Sequence, residues 1–422
     1  MKILPDKLSR YAAVATLFMK YGRSSASPAT ATPLTELTEP PDDGDAPEQL
    51  ARDLEALGPT FVKLGQVLSS RPDLMPARYI EALERLQDNV KPFPFPDVQQ
   101  IIETDLGVRL SKAFATFDEK PLAAASLGQV HRATLRDGTP VAVKVQRLDV
   151  AQQVAKDLEA LEEIARFLEK HSETGKTYDV VGMVAEFRDA ITAELDYVKE
   201  AGNLRLMAKN LAEFDMVVVP QPIEGYVSTR VLTMQYVSGT KVTAISPVVR
   251  LDLDGEALGE TLIRAYLKQI VIDGIFHADP HPGNVFVTDD GRLALLDLGM
   301  IGRITPAMQE KLLKLLLAIS EGRGEDAADV TVVLGEKLED FDERAFKKAI
   351  ATLVGKYGHQ SLADFQIGRA FIELNNVTRE HRMRPPAELT MLGKTLLHLT
   401  RLRARSNRIS TSTNRSAGTV QT

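Results

Sequence analysis

Three short stretches of this sequence carry residue types that together could move a phosphoryl group. Val141-Ala142-Val143-Lys144 sets a lysine among apolar neighbours. His277 to Asn284 places Asp279 and Asn284 five positions apart in a loop stiffened by Pro280 and Pro282, and Asp297-Leu298-Gly299 follows. Phosphoryl transfer asks for positioning and charge neutralisation more than covalent chemistry: a cation on the phosphates, oxygen ligands for magnesium, and a carboxylate near the attacking hydroxyl. Lys144 suits the first role, Asn284 and Asp297 the second, and Asp279 the third. Each signal alone is weak. A strand lysine can simply cover a sheet edge, and an Asp and an Asn at this spacing arise by chance about once in a chain of this length at ordinary usage. Their order and company make the set specific. His277 reads as a hydrogen-bonding residue that packs the loop, because the loop already supplies a carboxylate.

The elements that must hold these residues follow from periodicity. Gln129 to Leu135 and Val141 to Gln146 read as two strands joined at Asp137-Gly138, a pair that favours positive φ, so Lys144 stands on a hairpin. Just upstream, where a phosphate-cradling loop would carry glycines, stand Ala123, Ala124, Ala125 and Ser126. Alanine resists positive φ, so this loop is expected to be stiffer and its nucleotide handling altered. Glu256 to Asp273 has the spacing of a long buried helix leading into the polar loop. Val285 to Val287 and Leu293 to Leu296 flank a second turn at Asp290-Gly291, and Gly299 is expected to let the backbone turn away from Asp297.

Helical patterns fill Val150 to Lys170 and Val180 to Leu211. Met216 to Val219 and Arg230 to Val237 read as strands, and Gly239 closes this strand-rich half. Pro306 to Arg403 reads as helical, broken at Gly322, Gly358 and Pro385-Pro386. Before the hairpin, Asp6 to Tyr21 reads as a short amphipathic helix and Arg23 to Pro47 as a Ser/Thr/Pro-rich linker. Leu50, Leu54, Leu57, Phe61, Leu64 and Leu68 mark a helix from Glu48 to Ser70, interrupted near Gly58-Pro59, and Ala77 to Asn89 a second one. The fold class is α+β, a two-lobed, protein-kinase-like arrangement. Its expected parts are an N-terminal helix (1–22), a linker (23–47), a helical extension (48–110), a mixed α/β N-lobe (111–238), a helical C-lobe (239–405) and a polar tail (406–422).

Composition narrows the chemistry further. The chain has 422 residues, 44% hydrophobic and 26% charged, which is enough apolar content to bury a core. With 51 basic against 58 acidic residues the net charge of −7 offers no general attraction to nucleic acid. There are no cysteines, so disulfides, thiolate metal sites and thiol nucleophiles are excluded, and a reducing cytoplasmic setting fits. Apolar runs such as Ala12 to Met19 fall short of the roughly 20 residues of a membrane span, and no secretory signal is read at the N-terminus.

Several of these motifs resemble those of the UbiB/AarF family of atypical kinase-like proteins, which act in or around quinone biosynthesis. Phe61-Val62-Lys63-Leu64-Gly65-Gln66 resembles that family's K-x-G-Q signature, and Ala123 to Ser126 its alanine-rich loop. Glu194-Leu195-Asp196 with Glu200-Ala201-Gly202-Asn203 resembles its E-x-D helix, and His277 to Asn284 its catalytic loop. The resemblance implies ATP or ADP with magnesium as cofactors, Lys144 on the phosphates and paired with Glu200, Asp279 at the reacting centre, and Asn284 and Asp297 on the metal. It also implies a K-x-G-Q helix, with Lys63 and Gln66, that packs over the site and obstructs protein substrates.

Lys63 is a candidate cation for the carboxylates Glu194 and Asp196, which stand two positions apart and would otherwise repel each other. An ordinary protein kinase fits poorly, since no H-R-D or D-F-G is present and no A-P-E follows Asp297-Leu298-Gly299. The implied activity is an ATPase or small-molecule kinase near quinone or isoprenoid-lipid precursors. The alternative is a nucleotide-gated scaffold that phosphorylates nothing. Where many bacterial members carry apolar anchors, Pro385 to Arg405 is amphipathic with Lys394, Arg401, Arg403 and Arg405, which allows peripheral contact at the inner face of the membrane.

Overall fold

The computed structural model describes residues 5–21, 45–69, 75–87, 91–171, 180–245, 253–278, 280, 283–357, 367–386, 388, 389, 391–393, 395, 396 and 399. They form two compact units: Met1–Val198 with Ile223–Met234, and Lys199–Pro222 with Gln235–Thr422.

The first unit pairs a helical layer with a sheet. Helices α1 (Pro5–Tyr21), α2 (Ala46–Leu57), α3 (Pro59–Ser69), α4 (Ala77–Glu84), α7 (Val150–His171) and α8 (Val180–Glu194) surround one apolar cluster. Leu54, Phe61, Leu83, Leu161 and Ile191 lie in its centre, each at most 1% exposed. Burying a side chain such as Phe61 contributes about 1.5–3 kcal/mol. The break between α2 and α3 falls at Gly58, whose φ of 100° an L side chain resists. Gly65 of the K-x-G-Q motif has a packing reason: a Cβ there would sit 2.4 Å from Leu86 Cδ1 and 3.1 Å from Leu54 Cδ1. A buried carboxylate ties three helices together. Asp157 on α7, 1% exposed, accepts from Arg10 Nε at 2.6 Å and Arg10 Nη2 at 2.8 Å, and from Thr60 Oγ1 at 2.5 Å.

The sheet of this unit runs β1 (Phe114–Phe117), β3 (Gly128–Leu135), β4 (Pro140–Gln146), β7 (Val231–Gln235), β6 (Pro222–Val227), with β2 (Ala123–Ala124) added on β3. Val141, Val143 and Val145, all fully buried, alternate along β4 against Ile101 and Ile102 of α5 (Phe95–Leu106) and Phe114 of β1; the short α6 (Leu110–Ala113) links these two. On β3, His131 is fully buried. Its Nδ1 faces the carbonyl of Asp118 at 2.8 Å and its Nε2 faces Gln129 Nε2 at 2.8 Å. The carbonyl can only accept and the amide NH₂ can only donate, so this is the neutral ring protonated on Nδ1. Burial pushes the His131 pKa down, partly opposed by the Asp118 carbonyl.

The second unit holds helix α9 (Tyr197–Asn210, from Lys199 onward) and a sheet ordered β5 (Val217–Val218), β11 (Leu293–Leu295), β10 (Val285–Thr288), β8 (Gly239–Lys241). β5 pairs in parallel with β11, so residues 199–222, read as N-lobe from the sequence, belong with this unit. Two further ladders pair β9 (Ile275–His277) with β12 (Ile301–Arg303) and β13 (Glu336–Lys337) with β14 (Met383–Arg384). Around them lie α10 (Gly255–Lys268), α11 (Pro306–Ser320), α12 (Gly324–Leu334), α13 (Glu343–Tyr357) and α14 (Ile367–Glu380), and a last helical segment holds Met391 to Gly393.

Three expectations are corrected. The pattern from Val180 to Leu211 is two helices, because Asp196 turns the chain and caps α9 by accepting from Val198 N–H at 3.1 Å. The helix expected to run to Asp273 changes at Gln269 into a π-helical turn ended by Gly274 at φ 64°. The alanine run is not wholly a loop: Ala123 and Ala124 pair with Val130 and Gln129, and only the next residues turn.

Candidate functional site

Lys144 stands opposite Val130 on β4, between two buried valines, so its side chain leaves on the other face of the sheet together with that of Gln146. Both reach the junction of α8 and α9. Lys144 Nζ lies 4.9 Å from the Tyr197 ring centroid, and Gln146 Nε2 donates to Leu195 O at 2.6 Å and Thr229 O at 2.9 Å. Gly128 makes this approach possible. A Cβ on it would lie 2.6 Å from Val145 O and 2.7 Å from Tyr197 Oη.

The alanine segment is gripped by a residue that the sequence did not single out. Arg147, directly after β4, donates from Nε to Ser126 O at 3.0 Å and from Nη2 to Ala125 O at 3.3 Å and Lys91 O at 2.7 Å. Ser126 is itself buried, and no residue from Ala123 to Ser126 has positive φ. The stiffness expected of alanine is therefore reinforced by a guanidinium on the carbonyls of the turn.

On the helical layer the structure brings Lys63 and Glu194 together, Nζ to Oε2 at 2.5 Å with both side chains largely buried. Asp196 lies two residues on, and Gln66 sits one turn after Lys63 on α3, half-buried. Glu200 lies in the part of α9 that belongs to the second unit and is 2% exposed.

In the second unit the metal-ligand candidates converge at the open end of a hairpin. Val285 pairs with Leu295, and Leu296 N–H donates to Asn284 O at 2.9 Å, so Asn284 faces Leu296 and Asp297 is the next residue out. Asp297 itself takes φ 55°, a left-handed conformation that costs an L residue roughly 1–2 kcal/mol and that Asp tolerates better than most. Here the expectation is corrected: the strained residue is the aspartate, while Gly299 donates its N–H to Asp297 Oδ1 at 3.3 Å.

Asn203 holds this turn from α9, with Nδ2 donating to Leu298 O at 2.8 Å. Asn203 was visible in the motif, but its role was not, because the contact spans 95 positions. Asp279 lies outside the described residues. Its neighbours are tightly held. His277 is fully buried, its N–H donates to Gln269 Oε1 at 2.9 Å, and Ala278 N–H donates to Met300 O at 3.1 Å.

Oxygen donors of this kind suit magnesium held together with a nucleotide. Magnesium is ordinarily held by one or two carboxylates plus substrate phosphates. Asn284 and Asp297 offer oxygens at one hairpin end, while no group of three or more His, Cys, Asp or Glu gathers among the described residues.

A family model described as the ABC1 atypical kinase-like domain matches residues 85–331. The chain belongs to that family. The resemblance to UbiB/AarF proteins read from the motifs is thereby shown, and a second model, the UbiB helical domain, matches residues 350–401 of this ABC1 chain. An uncharacterized protein of Synechocystis is 35% identical over 84% of this chain and 89% of its own length. The chloroplastic protein ACTIVITY OF BC1 COMPLEX KINASE 8 of Arabidopsis thaliana is 39% identical over 71% of this chain and 40% of its own. A probable protein kinase UbiB of Cellvibrio japonicus is 34% identical over 83% of this chain and 64% of its own. The chain thus spans less than two thirds of the last two.

Among solved structures, the complex of Rv3197 with erythromycin from Mycobacterium tuberculosis matches with TM-score 0.54 and 23% identity, covering 87% of this chain and 96% of that one. At that identity the likeness shows the fold. The protein is an α+β, kinase-like ABC1 chain, and no helix among its described residues is long and apolar enough to cross a membrane.

Proposed function

We propose that this ABC1 chain binds ATP with magnesium and transfers or hydrolyses the γ-phosphate, serving quinone or isoprenoid-lipid synthesis through a small-molecule acceptor. The observation that carries the reading is the open end of the second hairpin, where Asn284 and a left-handed Asp297 are presented together and braced by Asn203. In this reading they hold magnesium, Lys144 neutralises the phosphates with Glu200 as its partner, Asp279 accepts the proton of the attacking hydroxyl, and the segment Ala123 to Ser126 covers the nucleotide. The Lys63–Glu194 pair supports a small acceptor over a protein one, because it anchors the K-x-G-Q helix to the E-x-D segment. The basic stretch with Lys394, Arg401, Arg403 and Arg405 lies outside the described residues and supplies, in the same reading, peripheral contact with an anionic membrane on the cytoplasmic side.

The test is steady-state ATP hydrolysis by the purified full chain with magnesium, with and without anionic liposomes and phenol-like quinone precursors. Asp279→Asn is expected to lower turnover by at least about 100-fold, with nucleotide affinity within a few-fold, because the carboxylate acts in the transition state. Unchanged hydrolysis would remove Asp279 from the chemistry. Nucleotide binding with no turnover under any condition would leave the scaffold reading in its place. In a parallel phosphate-incorporation assay Lys63→Glu is expected to raise autophosphorylation by exposing the site, and parent-like incorporation would leave Lys63 as an ordinary charge on a helix face.

A further inference from the structure

We infer that Thr395, in the segment matched by the UbiB helical domain, is a positioning residue for the catalytic loop; the inference rests on the reading of Asp279 given above. Thr395 is fully buried, and its Oγ1 donates to the carbonyl of Ala278 at 3.1 Å across 117 positions of sequence. The carbon of that carbonyl is bonded to the nitrogen of Asp279. A peptide unit is planar, so a hydrogen bond that fixes the direction of the Ala278 C=O restrains the link through which the chain enters the catalytic loop.

The hydroxyl completes a set of three restraints on one short stretch. Gln269 Oε1 takes the N–H of His277, Met300 O takes the N–H of Ala278, and Thr395 takes the remaining carbonyl. One of these acceptors sits at a local irregularity. Gln269 opens the π-helical turn, whose loosened carbonyls at Ile270 and Val271 are met by Gln309 Nε2 at 3.4 and 3.0 Å. Such turns recur at functional sites because they re-aim side chains without breaking the helix.

Thr395 is fixed in turn by packing. Leu392, Leu396 and Leu399, at helical spacing around it, are each at most 8% exposed, and Ile270, Leu312 and Phe371 share an apolar pocket with Leu392 and Leu396. The π-helical turn and the Thr395 segment therefore grip the loop with Gln269 and Thr395, while the residues next to them, Ile270 and Leu396, line that shared pocket. A buried threonine hydroxyl usually bonds its own helix four residues back, as Thr378 does to Leu374 O at 2.6 Å and Thr331 to Ala327 O at 2.7 Å. Thr395 instead reaches the loop.

The experiment compares Thr395→Val, Thr395→Ser and Thr378→Val in the full chain. Valine keeps the volume and removes the donor, serine restores the donor, and Thr378→Val removes an equally buried hydroxyl that touches no loop. Thr395→Val is expected to lower kcat for ATP turnover by about 10- to 100-fold, the scale of a small misplacement of a reacting group, with KM for MgATP within about threefold. Thr395→Ser is expected to recover kcat to within about threefold of the parent and Thr378→Val to match it. Amide hydrogen exchange over residues 275–284 is expected to quicken in Thr395→Val alone. Parent-like kcat and exchange in Thr395→Val would overturn the inference, as would an equal loss in Thr378→Val. If the parent itself turned over no ATP, the catalytic reading would fail while the exchange comparison still decided the tether.

Discussion

The β3–β4 and β10–β11 hairpins are built on the same local plan and used in opposite ways. Each turns at an Asp-Gly pair, with Gly138 at φ 91° and Gly291 at φ 81°. The first presents its chemistry from mid-strand: Lys144 is aimed by the pleat, because its neighbours on both sides must point into the core. The second presents Asn284 and Asp297 at its open end, where the ladder has run out. There the direction of a side chain depends on one left-handed residue and on a hydrogen bond from a distant helix. A residue held by periodicity tolerates change around it; one held at a strand end does not.

Asp297→Asn tests the open end and carries the largest expected effect on nucleotide binding. Asparagine also accepts the left-handed region, so the fold should keep its melting temperature while the metal loses a charged ligand. The stabilisation by MgATP in a thermal-shift series is expected to shrink by the equivalent of about a tenfold loss of affinity, roughly 1.4 kcal/mol at saturating nucleotide. A shift equal to that of the parent would break the comparison at its centre.

Gly128→Ala probes the first hairpin where it approaches Tyr197. The added methyl meets a backbone carbonyl and a phenol oxygen of a buried ring, neither of which can swing aside cheaply. A loss of about 1–3 kcal/mol is expected in urea unfolding, the usual scale of overpacking, with a lower midpoint and an unchanged slope. An unchanged midpoint would mean that β4 has more freedom than its buried valines suggest.

The smallest effect concerns pH and the same hairpin. His131 is neutral in the fold, so its folded pKa lies below the unfolded value of about 6.5. Its contribution is then fully present above that unfolded value and is lost as pH falls through it toward the lowered one, since the unfolded chain binds the proton first. Protonation would also set an N–H against the donating amide of Gln129. Stability between pH 7 and pH 5 should fall less in His131→Gln than in the parent, and equal slopes would show that the ring charges without penalty.

Much of the β3–β4 hairpin was legible because eight- and seven-residue strands leave a period of two that only a half-buried sheet explains. The candidate site residues stood out for a different reason: Asn284 and Asp297, the metal-ligand candidates, and Asp279, the candidate catalytic carboxylate, stand close together in sequence around one hairpin. Strands β1, β2, β8, β9 and β12, each of two to four residues, escaped because so short a run contains hardly one full alternation. The split of the Val180 to Leu211 pattern escaped as well, since Asp196 inside an apolar helical spacing looks like any solvated face residue.

What residue order determined by itself, then, was the strand that carries Lys144, the Asp-Gly turns at Gly138 and Gly291, the membership of the motifs in one family, and the exclusion of thiolate from any metal site in a chain without cysteine. Tertiary structure alone decided that the positive φ falls on Asp297, that Arg147 grips the alanine turn, that Lys63 meets Glu194, and that Thr395 reaches Ala278. The first group follows from periodicity and composition, which act over a few residues. The second depends on hydrogen bonds and ion pairs between groups 21 to 131 positions apart, whose directional geometry exists only once the apolar core has fixed where each helix and strand lies.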